Sequence, residues 1–214
     1  MRKIKLNTRS AAGKFITLET ANNLINNYIK KVDPKYNHTL FSIDSFLKYD
    51  EMQKCIGYTI FFGEYATDSE KTFVIIPINI SNRQVEFVES AYNMGNFGIP
   101  PRKSIDTTKK LESSENGVEI AFTEAITIIN RHHNSSSFSS NFTYFSRRNL
   151  ITYLKRLQKN GYNTFAIFSG AYKNQTETIV LAPQSILPNN RVPAFNFGHN
   201  GFPPKYSFDE GIQL

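Results

Sequence analysis

The side chains best suited to metal or nucleophilic chemistry in this chain are four histidines, His38, His132, His133 and His199, and one cysteine, Cys55. Successive helical residues lie about 100° apart, so the adjacent pair His132 and His133 points to different sides of a helix and cannot face one metal ion. His199 stands in a glycine-rich loop, but no carboxylate close to it in sequence is placed to tune it as a general base. Cys55 falls between a helix end and a strand, the position of an ordinary buried thiol. A single cysteine makes neither an internal disulfide nor a cysteine-rich zinc site. The phosphate-loop, dinucleotide, zinc-protease and nucleophile-elbow spacings do not occur in the chain. The sequence therefore assigns no catalytic residue, no metal ligand and no cofactor, and favours a non-enzyme.

Recognition is better provided for. Gly95-Asn96-Phe97-Gly98-Ile99-Pro100-Pro101-Arg102 and Gly198-His199-Asn200-Gly201-Phe202-Pro203-Pro204-Lys205 share two glycines, two prolines and a terminal cation at identical spacing. Such a segment must be a loop, because glycine permits positive φ and proline removes ladder donors. Glycine also lets another molecule approach the main chain. The expected protein-contact surface is Tyr92, Gly95, Phe97, Gly98, Phe195, Gly198, His199, Gly201 and Phe202, serving a protein partner or a homo-oligomer.

Cations give a second candidate surface. Arg2, Lys3, Lys5, Arg9 and Lys14 form a basic N-terminal arm over residues 1–14 with no acid among them. In the stretch 147–160, Arg148, Lys155 and Lys159 fall on one strip of a helix whose apolar side carries Leu150, Ile151, Tyr153, Leu154 and Leu157. The earlier equivalent of this helix carries Asp50 and Glu51 instead. An acidic partner or a nucleic-acid backbone is the polyanion such a strip would take, beside the plain reading of a solvated helix face.

The elements that must position these groups recur along the chain. Ile16–Ala21 corresponds to Ile120–Ala125, Leu24–Asn26 to Ile128–Asn130, Ile60–Tyr65 to Ile167–Tyr172, and Thr72–Pro77 to Thr178–Pro183. Blocks repeating in one order predict two tandem related units, 15–102 and 117–206, joined by a polar linker, 103–116, and followed by a tail, 207–214. Each unit reads as helix, helix, strand, strand and a Gly/Pro loop. Leu18, Ala21, Leu24 and Tyr28 give one apolar helix face behind Thr17, and Phe122, Ala125, Ile128 and His132 give the other. Second helices are expected over 44–54 and 147–160, with Asn160-Gly161 as a stop. Strands over 56–62, 72–80, 163–169 and 177–182 form hairpins, with Pro77 and Pro183 at strand ends or edges. The fold class expected is α+β, with the two units packed as separate lobes about a pseudo-twofold axis.

The chain of 214 residues is 40% hydrophobic and carries a net charge of +7, enough apolar material for a core without staples. No apolar run reaches the length of a membrane span and the N-terminal residues lack the apolar stretch of a secretory signal, so a cytoplasmic protein without membrane contact is expected. The blocks Ile16–Ala21, Cys55–Gly63, Thr72–Pro77 and Gly95–Pro101 resemble a group of short uncharacterised bacterial proteins that look like single copies of this unit. Those relatives often carry cysteines beside the Pro pair, where this chain has Ile99, Arg102, Phe202 and Lys205. The resemblance covers most of residues 16–102 and implies no activity. It does imply that, if single copies pair, this chain is a fused, pseudo-symmetric version.

Overall fold

The structure, a computed structural model, describes residues 13–32, 37–65, 71–81, 84–93, 117–135, 142–173, 177–183, 194–196 and 199–200. Along the first part run β1 (Lys14–Ile16), α1 (Leu18–Val32), β2 (His38–Ser42), α2 (Ile43–Met52), β3 (Gly57–Glu64), β4 (Lys71–Ser81), β5 (Gln84–Phe87) and β6 (Ala91–Asn93). The second part repeats the order: β7 (Val118–Ile120), α3 (Phe122–Ser135), β8 (Phe142–Ser146), α4 (Arg147–Lys159), β9 (Thr164–Ala171), β10 (Glu177–Ala182), β11 (Ala194–Asn196) and β12 (His199–Asn200). Both elements of the α+β class are therefore present, and the hairpins β3–β4 and β9–β10 form where the apolar runs place them.

Local chemistry accounts for the helix ends. Thr17 accepts a hydrogen bond from the Thr20 amide at 3.1 Å, satisfying one free donor at the start of α1, and Lys30 and Lys31 sit favourably in its last turn. Ser42 and Ser146 cap α2 and α4 in the same way, accepting from Ser45 and Asn149. The cap of α2 is thus two residues earlier than Asp44, which lies in the first turn. Gly161, at φ 83°, ends α4.

Strand order is where the fold departs from two separate lobes. One sheet runs β1-β11-β10-β9-β2 and the other β12-β8-β3-β4-β6-β7, with β5 alongside β4. The first two strands of each part join the sheet of the other part. The pairing is equivalent on both sides: Ser42 lies opposite Thr164 as Ser146 lies opposite Gly57, and Ile16 lies opposite Ala194 as Ile120 lies opposite Ala91. Leu181 faces Phe195 as Ile75 faces Tyr92. The expected packing of one lobe on another is replaced by reciprocal strand exchange, because β1, β2, β7 and β8 were hidden in segments too short to declare themselves as strands.

Exchange decides which surfaces are buried together. Helix α1 covers the outer face of the first sheet, where Ala21, Leu24 and Ile25 meet Ala166, Phe168, Val180 and Ala182. Helix α3 covers the second, where Ala125, Ile128 and Ile129 meet Phe61, Val74, Ile76 and Ala91. The inner faces of both sheets share one core with α2 and α4, built around Phe46, Tyr58, Tyr92, Tyr153, Phe165 and Ile167. Burying a large apolar side chain is worth roughly 1.5–3 kcal/mol, so Leu24, Ile25 and Tyr28 alone contribute on the order of 5–9 kcal/mol. That is comparable to the entire net stability of a domain, about 5–15 kcal/mol. Neither sequence half retains its core without the other.

Pro77 lies inside β4, opposite Tyr58, and not at the strand end the sequence suggests. Its carbonyl accepts from Val88 at 2.9 Å, in the gap between β5 and β6. The side of Pro77 that lacks a donor is thereby turned to a break in the ladder, which is how a proline fits within a strand. Pro183 follows the end of β10, as expected.

Candidate nucleic-acid interface

Helix α4 begins with Ser146 as its cap and buries Leu150, Tyr153, Leu154 and Leu157 in the central core. That phase sends Arg148, Lys155, Arg156 and Lys159 outward, and all four are exposed. At about 100° per residue, Arg148, Lys155 and Lys159 fall within roughly 40° of one another, with Arg156 beside them. From Arg148 to Lys159 the strip runs for about 16 Å at 1.5 Å per residue. The helix contains no acidic residue, and among the described residues none of these four cations forms an ion pair.

The fifth cation of α4 has another task. Arg147 donates from Nε to Asp50 Oδ1 at 2.7 Å and from Nη2 to Oδ2 at 3.0 Å, a two-pronged grip that joins the start of α4 to the end of α2. Tyr58 donates to the same carboxylate at 2.5 Å. Hydrogen bonding to Asp50 raises the guanidinium above its ordinary value, so Arg147 stays charged. Burial pushes both the Cys55 thiol and the Tyr58 hydroxyl up, leaving Cys55 a protonated, buried thiol. Sequence reasoning missed this cluster. Asp50 stands four residues after Phe46, on the apolar phase of α2, and that displaced acid was its signal.

Two contacts bring the N-terminal strand to α4. Asn149 Nδ2 donates to the Gly13 carbonyl at 3.0 Å, and the Arg156 guanidinium lies 5.0 Å from the centre of the Phe15 ring. Gly13, within the basic segment 1–14, thus lies beside the first turn of α4. Phe15 is 45% exposed and packs at 6.1 Å against Tyr153.

The equivalent positions of the other part carry the opposite chemistry. Counting from the two serine caps, Arg148 and Lys155 correspond to Asp44 and Glu51, both exposed, and Arg156 to Met52. The strand register makes Glu119 the counterpart of Phe15. Asp50 corresponds to the buried Leu154, so it belongs to the interior and is no part of the acidic face. The exposed face of α2 is mixed in charge, with Lys48 between Asp44 and Glu51, and it borders the basic strip, where Gln158 donates to Asp44 Oδ1 at 2.7 Å.

Other expected site residues are placed differently. Tyr92 is 1% exposed and packs against Phe41, Phe46 and Tyr49, so it is core and not contact surface. The reason is β6, which turns the ring into the shared interior. Phe195 pairs through its backbone with Phe15 and Leu181, and His199 pairs with Tyr144. Gly95, Phe97, Gly98, Gly198, Gly201 and Phe202 lie outside the described residues, as do the arm before Gly13, the linker 103–116 and the tail 207–214. His132 is buried and stacks on Phe62 at 5.5 Å, and His38 is buried and stacks on Phe168 at 4.9 Å. Among the described residues no group of three or more His, Cys, Asp or Glu side chains gathers as a metal site, and no helix is long and apolar enough to cross a membrane.

Compared with protein-family models, with curated proteins and with solved structures, the chain matches none.

Proposed function

We propose that the protein binds nucleic acid through the exposed face of α4 and the basic arm, residues 1–14, whose Gly13 lies beside it. The observation that carries this reading is the unbalanced charge of α4: four exposed cations, no acid on the helix, and Gly13 of the arm hydrogen-bonded to its first turn. A phosphate backbone is a line of negative charge whose condensed counterions are released when lysines and arginines replace them, and a cationic strip of about 16 Å matches that geometry. The acids of the neighbouring helix α2, Asp44 and Glu51, border the strip, with Asp44 accepting from Gln158 of α4 at 2.7 Å, and repel the same ligand at its edge.

The test is equilibrium binding of labelled 20-nucleotide DNA and RNA over a series of salt concentrations. Wild type is expected to show affinity falling steeply with salt. Replacing Arg148, Lys155 and Lys159 together by alanine reduces the log–log salt slope by about 2–3, since each lost phosphate contact removes roughly 0.7–0.9. Asp44→Ala with Glu51→Ala, on the neighbouring helix α2, where Asp44 accepts from Gln158 of α4, leaves that slope unchanged or makes binding tighter. No measurable binding at low salt, or a triple variant that binds like wild type, overturns the reading.

A further inference from the structure

We infer that the strand recognised by this face is single-stranded, and that Phe15 is the platform on which one of its bases stacks; the inference rests on the nucleic-acid reading and names the ligand class of the same site. Among the described residues Phe15 is the one aromatic ring in the exposed class, and it stands beside the basic strip, directly after the arm 1–14. Among the described residues, Phe41, Phe46, Phe61, Phe145, Phe165 and Phe168 turn inward and are wholly buried or nearly so.

Proteins that hold single strands combine a cationic track for the backbone with aromatic faces for the bases, because every base has a π-face to stack. A duplex keeps its bases paired and stacked on one another, so an isolated ring beside the backbone has nothing to hold. Phe15 is set for the first arrangement. Tyr153 supports it from the protein side, and the Arg156 guanidinium lies over the ring as a cation–π contact, offering a base a flat cationic plane beside the ring's remaining surface. Its backbone is fixed in register by β11, opposite Phe195, so the ring is presented by a strand and not by a loop. The counterpart position holds Glu119, whose carboxylate accepts from Ser90 at 2.6 Å and offers a base no stacking face. Phe15, Arg148, Lys155 and Arg156 together form the proposed subsite.

The experiment compares fluorescence anisotropy of labelled oligo-dT, oligo-U and a duplex of equal length, with vesicles of anionic lipid as a separate probe, for wild type, Phe15→Ala and Phe15→Trp. Single strands should bind more tightly than the duplex. Phe15→Ala should weaken single-strand binding by about 5- to 150-fold while leaving the salt slope intact, and Phe15→Trp should restore it. Circular dichroism confirms that both variants keep the fold. Oligo-dT and oligo-U binding alike marks base stacking as the source of affinity, and a strong preference for either still requires the Phe15 effect. Equal or tighter binding of the duplex, or an alanine variant that binds single strands like wild type, overturns the inference while leaving the nucleic-acid reading standing. Binding to vesicles with none to any oligonucleotide overturns both.

Discussion

Glu177 offers a pH-dependent test of the exchanged architecture. The carboxyl is 1% exposed at the start of β10, opposite Ala171. Tyr28 and Lys31 of α1 approach it from one part of the chain, and Lys71 of β4, itself paired with Glu64, from the other sheet. Burial, only partly offset by Lys31 and Lys71, pushes Glu177 up to about 8 from its ordinary 4.5. Unfolding restores the ordinary value. Between about 4.5 and 8 the native chain therefore holds a proton that the unfolded chain has lost, and stability must fall as pH rises through that window. Below it the contribution is complete, and above it the contribution is gone. At about 1.4 kcal/mol per pH unit, moving from about pH 5.5 to about pH 8 costs roughly 3 kcal/mol, which for a chain of this size lowers Tm by about 10 °C. Glu177→Gln mimics the protonated form and should remove this component, so its Tm should fall by about 10 °C less than that of wild type over the same range. Thermal melts of the two proteins side by side measure it, because every other titrating group is common to both. Parallel Tm curves would mean that the carboxyl is not buried as described and would refute the reasoning.

Two further outcomes concern the fold. Gly117 has φ 115°, and a Cβ built there would overlap the Tyr92 hydroxyl, so Gly117→Ala combines backbone strain with displacement of a core ring. It should cost roughly 2–4 kcal/mol, read as a lower urea midpoint with unchanged slope; a variant within about 0.5 kcal/mol of wild type would contradict the placement of Tyr92. Cutting the chain at a protease site introduced between Lys109 and Ser114 should leave both fragments in one particle of the intact 24.5 kDa, since each sheet needs strands from both. Two folded fragments that separate on native size exclusion would falsify reciprocal exchange.

How much of this was legible in the sequence follows from which interactions are local. Helices α1, α3 and α4 show an apolar stripe every three or four residues, and β3, β4, β9 and β10 are long enough to display β-branched and aromatic runs, so they could be read directly. By contrast β1, β2, β7 and β8 have three to five residues each and owe their conformation to partners in the other part of the chain. No local pattern records such pairing. The basic strip of α4 was legible because the phase of an amphipathic helix fixes its outer face. Phe15 was not, since its exposure depends on where α4 ends up against β1. Asp50 was read as surface charge although its spacing from Phe46 puts it inward, and nothing local to Glu177, at the start of the strand expected over 177–182, records that it is buried.

The comparison of the two parts also separates what the scaffold requires from what it carries. Although Asp50 against Leu154 is an interior pair that differs, between the outer helices and their sheets the chemistry of the two parts agrees at Ala21 with Ala125, Leu24 and Ile25 with Ile128 and Ile129, Val180 with Val74, and Phe168 with Phe61, all of them buried. These positions face the same constraint, filling the space between a helix and a sheet. On the exposed faces of α2 and α4 the agreement ends, with Asp44 against Arg148, Glu51 against Lys155 and Lys48 against Thr152, and on β7 and β1 Glu119 stands against Phe15. A solvated face asks only for polarity, and α2 shows this by mixing Asp44, Lys48 and Glu51. The all-cationic charge of α4, beside the exposed ring of Phe15, is not needed to build the fold. It leaves α4 with uncompensated positive charge along its outer face, and the proposed binding of a phosphate backbone rests on that imbalance.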